Sequence, residues 1–259
     1  MPFRKFAEPF GARFGRVLGV SGGGSSEAAA DPAYIAKFAA TNPAFWLRLN
    51  ENSGTVATDS GSALANGTYT GGFSLNQTGM GDGSKATSFN GSTGRVALDV
   101  ATLDIPFDGD VGTIFLWAKI PSAVWTNGVA GVFLELGSGV NNRIYIIKDT
   151  TSNQIIFVRR ANSATKQVVL SSYSPADWFS LALTWDRAGN ALKAFKDGAQ
   201  TGSTQTTLGI WSGALSASWS AIADNDSTAP SGPLNGTLAH VALWPSVLAP
   251  ATIASLAVP

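Results

Sequence analysis

The 259-residue sequence has no cysteine. That excludes disulfides, thiolate metal sites and thiol nucleophiles, and a small secreted domain held by cross-links is not expected. Charge is scarce too. Lys and Arg number 17 against 17 Asp and Glu, together 13% of the chain and a formal net charge of zero. About 25% is usual for a soluble domain. A chain without a basic field is a poor partner for nucleic acid or an anionic membrane surface. The only histidine is His240, and the only glutamates are Glu8, Glu27, Glu51 and Glu135. His240 falls on a late strand, where a partly buried, hydrogen-bonded imidazole is expected in place of a catalytic base. No two glutamates are spaced to put an acid and a nucleophile on one strand face, so the chain is expected to be non-enzymatic. No apolar run approaches the ~18 residues of a membrane helix. The leader also lacks the roughly 7 to 15 apolar residues of a secretion signal. Membrane insertion is not expected, and cytoplasmic assembly is.

What the sequence does have is glycine, 29 residues, together with abundant Ser and Thr and 10% aromatics. Such a mixture favours short strands joined by tight turns. From residue 44 onward apolar runs of strand length recur: Phe45–Leu49, Thr113–Ile120, Val132–Leu136, Arg143–Lys148, Gln154–Arg159, Lys166–Leu170, Phe179–Trp185, Ala191–Lys196 and Thr237–Trp244. Turn residues separate them, and Asp197-Gly198 is a strong hairpin signal. With no long helix between the strands, the expected fold is all-β: a two-sheet antiparallel jelly-roll sandwich, closed by a short helix over Ala249–Val258. Residues 43–259 are assigned to this domain. A short helix is expected within residues 27–42, because Asp31-Pro32 supplies an N-cap and first-turn proline, and Asn42-Pro43 ends it.

Residues 1–26 form a basic, aromatic arm and a Gly/Ser linker. Phe3, Phe6, Phe10 and Phe14 recur at helical spacing, interleaved with Arg4, Arg13 and Arg16. An anchoring arm would put those rings in apolar pockets and pair the arginines with acidic neighbours.

Several motifs are similar to those of a known family. Asn42-Pro43-Ala44-Phe45-Trp46-Leu47-Arg48-Leu49, with Asp59-Ser60-Gly61 and Asn66-Gly67-Thr68-Tyr69, resembles the opening of laminin-G-like domains of the concanavalin A-like lectin/glucanase superfamily. Ala86 to Ser92, Thr113 to Ala118, Trp178 to Asp186, Leu192 to Gly198 and Leu234 to Trp244 resemble its later strands, in order. One departure is Ala239-His240, where relatives usually carry an acid. The resemblance implies a jelly roll acting as a binding or structural module. The Gly-rich leader and the Asp31-Pro32-Ala33 helix start resemble bacteriophage structural proteins with this domain. That implies a multi-copy or homo-oligomeric virion component, a capsid decoration, fibre or tail protein, with other virion proteins as partners through the arm. The alternatives are a bacterial glycan-binding adhesin and, third, a polysaccharide hydrolase.

Two tryptophans fall in expected loops, Trp125 and Trp211. They are the candidate saccharide platforms, with Asn127 and Asn225 as polar companions, and cell-surface glycan is the ligand class they imply. Asp104, Asp108 and Asp110 cluster in one loop and Asp224 and Asp226 in another, the oxygen-rich chemistry that calcium prefers. Alternation sends Arg159 and Arg160 to opposite faces of a strand, where solvated edge positions are expected.

Overall fold

The computed structural model describes residues 31–259. The anchoring residues Phe3, Arg4, Phe6, Phe10, Arg13, Phe14 and Arg16 lie outside the described residues. In chain order the strands are β1 (Phe45–Leu47), β2 (Val56–Ala57), β3 (Gly67–Thr70), β4 (Phe73–Thr78), β5 (Lys85–Asn90), β6 (Arg95–Leu98), β7 (Val111–Lys119) and β8 (Gly131–Gly139). They continue as β9 (Asn142–Lys148), β10 (Ile155–Ala161), β11 (Ala164–Leu170), β12 (Phe179–Asp186), β13 (Ala191–Lys196), β14 (Ala199–Gln205), β15 (Ala221–Ile222) and β16 (Asn235–Trp244). Helices are α1 (Pro32–Ala39), α2 (Val100–Leu103) and α3 (Pro250–Leu256).

Every strand pairing is antiparallel, and the strands form two sheets. Sheet one runs β14-β13-β12-β7-β16-β5-β4, with β1 beside the second half of β16; sheet two runs β11-β10-β9-β8-β15-β6-β3-β2. Chain-distant strands lie side by side in both, which makes the sandwich a jelly roll of concanavalin A-like type.

Strand β7 shows why the central strands of sheet one read as unbroken apolar runs. Its Ile114, Leu116 and Ala118 join the core between the sheets, while Phe115 and Trp117 join a second cluster on the outer face. Both faces are covered, so both parities are apolar. The cover is α1 and α3. In α1, Asp31 caps by accepting from the Ala33 N–H at 2.8 Å, Pro32 occupies the first turn, and Tyr34 and Phe38, one turn apart, point down onto the sheet. Phe38 stacks on Trp46 at 4.5 Å between ring centroids. Trp117 donates to the Tyr34 hydroxyl, which donates to the Leu256 carbonyl of α3. Burying each such ring contributes roughly 1.5–3 kcal/mol.

Strand β16 changes step between Ala239 and Ala242. His240 is the extra residue, with φ +49°, and its N–H bonds to the Arg48 carbonyl of the neighbouring segment. The imidazole is fully buried beneath α1, not partly as the sequence suggests.

Candidate functional site

The outer face of sheet one is covered by α1 and α3; the outward groups of β8 and β9 on sheet two are met instead by a single 3-10 turn, Ala217–Trp219. The register defines that face. On β8 and β9, Leu134 pairs with Ile146 and Leu136 with Ile144, all in the inter-sheet core. The alternate residues, Glu135 opposite Tyr145 and Arg143 opposite Arg160, therefore point outward.

These outward groups assemble around one guanidinium. Arg143 lies 5.1 Å from the Tyr145 ring centre and 5.3 Å from that of Trp219, which arrives on a 3-10 turn (Ala217–Trp219) preceding β15. A cation set against two ring faces is attracted by both quadrupoles. Arg143 also donates to Glu135 at 3.5 Å, a long bond. Burial raises the Glu135 carboxyl to about 7, the Asp224 charge adding to the rise and Arg143 opposing it. Arg160 donates to Asn141, and the Nε of both Arg143 and Arg160 is buried without an acceptor. Arginines facing each other across a strand pair repel. The face thus joins two half-buried aromatic rings to two guanidinium groups and one weakly ionised acid.

The residues singled out by sequence lie elsewhere. Trp125 is 1% exposed, its ring edge-on to Tyr173 and against Phe179, its N–H on the Pro175 carbonyl. This corrects its assignment as a platform: the indole is part of the core and offers no free face. Trp211 is half-buried. Its ring packs on Phe107 and so closely on Gly109 that a Cβ there would fall 2.0 Å from the indole. Asn127 is exposed but turned inward, its Oδ1 accepting from the Val129 N–H and from Lys148 Nζ. Asn225 sits in the loop after β15, with Oδ1 buried and unpartnered. The four are not brought together.

The calcium expectation is also corrected. Asp104 accepts from the Leu215 N–H, Asp108 from the Asp110 N–H, and Asp110 from Arg159, Arg187 and the Trp211 N–H. Asp224 accepts from the N–H groups of Asn225, Ser231 and Gly232, and Asp226 from Thr228 and Ala229. Their oxygens organise loops and neutralise arginines. Among the described residues no three acidic or histidine side chains are grouped to hold a metal ion. Arg159 is corrected likewise: alternation does separate it from Arg160, but it points inward and is 1% exposed.

Reasoning from sequence passed over the Arg143–Trp219–Glu135 cluster. One signal was available: Glu135 interrupts an otherwise apolar strand between Leu134 and Leu136.

A family model described as concanavalin A-like lectin/glucanases superfamily, laminin-G type, matches residues 89–254. No curated protein matches the sequence. Among solved structures, the receptor-binding domain of a botulinum neurotoxin C/D mosaic serotype superposes with TM-score 0.64 at 11% identity, covering 84% of this chain and 51% of that one. The serotype D ligand-binding domain, in complex with N-acetylneuraminic acid, gives 0.63 at 10%, covering 85% and 52%. The type G receptor-binding domain gives 0.58 at 13%, covering 83% and 51%. The chain spans about half the length of these structures, and at such identities the likeness is one of fold.

Proposed function

The chain belongs to the laminin-G-like family of the concanavalin A-like lectin/glucanase superfamily, and from that premise we propose that it is a non-catalytic contact module whose outer sheet-two face takes a saccharide. One observation carries the reading: the guanidinium of Arg143 set between Trp219 and Tyr145 on the outer face of sheet two. Apolar pyranose faces pack on aromatic rings, while guanidinium groups bond hydroxyls in fixed directions. A structural neighbour in complex with N-acetylneuraminic acid is consistent with a sugar ligand for this fold. Binding is favoured over turnover because a glycosidase needs two working carboxyls. Among the described residues the acid acting on Glu135 is Asp224, whose oxygens are taken up by three backbone N–H groups. A hydrolase is the second reading, favoured by the Glu135 value of about 7, which suits a general acid.

The setting proposed is a virion, in multiple copies, with residues 1–26 held by a neighbouring structural protein. The leader's composition, aromatic rings alternating with arginines, supports anchoring.

Glycan-array screening followed by calorimetry on Arg143→Ala and Trp219→Ala tests the saccharide reading. Each variant is expected to bind the best array ligand at least tenfold more weakly while unfolding as cooperatively as the parent. An array on which the parent chain binds nothing overturns it.

A further inference from the structure

Two cations point from sheet two into the interior of the sandwich, at opposite ends of the same strand pair. Lys148 on β9 faces Ile155, and Arg159 on β10 faces Ile144; between them Ile146 faces Phe157 in the inter-sheet core. Each is 1% exposed. Their partner sets differ in kind. Arg159 donates to the Gly109 and Gly209 carbonyls and, at 2.9 Å, to the Asp110 carboxylate. Lys148 Nζ donates to the Val129 carbonyl at 2.7 Å and to Asn127 Oδ1 at 3.0 Å, both uncharged. Among the described residues no carboxylate oxygen comes within 4.0 Å of it. The adjacent Asp149 is engaged with Thr150.

A buried charge is normally matched by an opposite one. An ammonium has three N–H donors, and neutral acceptors take two of those on Lys148. Lys148 lines a cavity of about 120 Å³ together with Asn127, Val129, Gly131, Leu234 and Asn235. Asn127 has turned its oxygen to Lys148 and the Val129 N–H, so its amide N–H₂ remains a donor. Asn235 at the start of β16 is also a lining residue.

We infer that this cavity is a binding site for the carboxylate group of a small ligand, with Lys148 supplying the charge and the Asn127 amide a second donor. Size supports a group in place of a whole sugar. The cavity holds roughly four waters at ~30 Å³ each, well below the ~300–1,000 Å³ of pockets that enclose drug-sized ligands. Burial holds the Lys148 ammonium below the usual lysine range, which an anion would reverse. The site is separate from the saccharide face. Lys148 points inward, whereas Arg143 and Tyr145 on the same strand point outward, so the two readings stand or fall independently.

The test is acetate titration of the ¹⁵N-labelled full chain, against sodium chloride at matched ionic strength. Saturable shifts in the Asn127, Val129 and Gly131 amides, seen with acetate and not with chloride, are expected. Lys148→Met should weaken acetate binding at least tenfold and leave binding at the Arg143 face unchanged. Acetate shifts no larger than those of chloride, or Lys148→Met titrating like the parent, overturn the proposal. If Lys148→Met does not fold, the parent's Lys148 Nζ resonance decides: acetate must move it, and an unmoved resonance overturns the site. Sulfate binding more tightly than acetate overturns the carboxylate assignment.

Discussion

Trp46 donates its indole N–H to His240 Nδ1 at 3.2 Å, which makes Nε2 the protonated nitrogen and aims it at Asp82 Oδ2, 3.0 Å away. Asp82 is itself fixed by the Ser84 N–H and hydroxyl, and burial, its first influence, would raise its carboxyl were it not outweighed by those bonds and by His240. A doubly protonated imidazole would turn an N–H against the Trp46 N–H. The relationship therefore selects one neutral tautomer.

Burial holds His240 below the usual histidine value, although Asp82 pulls upward. The folded state then takes up its proton later than the unfolded chain, whose pKa is about 6.5. Stability from this group is complete above that value and falls as pH drops below it. His240→Asn, which tolerates the positive φ, should show a smaller loss between pH 6.5 and 5. Chemical denaturation in a Glu135→Gln background is the measurement, since Glu135 titrates in the opposite sense; equal losses in both chains would contradict the assignment.

Glu135 runs the other way. Its folded value of about 7 lies above the ordinary 4.5, so its contribution is full below 4.5 and lost as pH rises through 7. At ~1.4 kcal/mol per unit, Glu135→Gln is expected to gain about 3 kcal/mol over the parent at pH 8 and nothing at pH 4. Urea unfolding at the two pH values checks this.

Asp110 bridges two arginines, Arg159 at 2.9 Å and Arg187 at 2.6 Å. Its removal takes from the buried Arg159 guanidinium its ion-pair partner and leaves only the more distant charge of Asp108 among the acids acting on it. Asp110→Ala should cost about 3–5 kcal/mol, read from thermal or denaturant unfolding. The loss should far exceed that of Asp177→Ala, whose exposed pair with Lys119 is worth ~1 kcal/mol or less.

Deleting residues 1–26 should leave the midpoint of thermal unfolding within about 2 °C, because the cap at Asp31 and the α1 packing remain. In a virus carrying the gene, the same deletion is expected to abolish incorporation into particles. Particle composition by mass spectrometry reads the outcome, and normal incorporation of the shortened chain would remove the virion anchoring proposal.

How far the sequence showed all this depends on burial. Strands β7, β12 and β16 are apolar on both faces and read clearly, because sheet one lies between the core and two helices. Strand β4, whose residues alternate between half-buried and exposed, and β14, made of small polar residues, carry no such signal and are missing from the apolar runs. Strand β1 ends at Leu47, two residues before the apolar run does, because Leu49 adopts φ +58° and leaves the ladder. The candidate site was harder to see. Arg143, Glu135 and Trp219 are ordinary residues apart, and only the β8–β9 register and the return of the chain before β15 bring them together. Trp125 and Trp211 misled for the converse reason: a residue outside a strand need not be outside the core.

The short helix α1 fixes which way the molecule looks. It lies across the back of sheet one, and the Asp31 N–H is bonded there to the Asp82 carbonyl. The described chain therefore enters at Asp31 on the back of sheet one, while the Arg143 cluster stands on the outer face of sheet two, so the two occupy opposite sides of the sandwich.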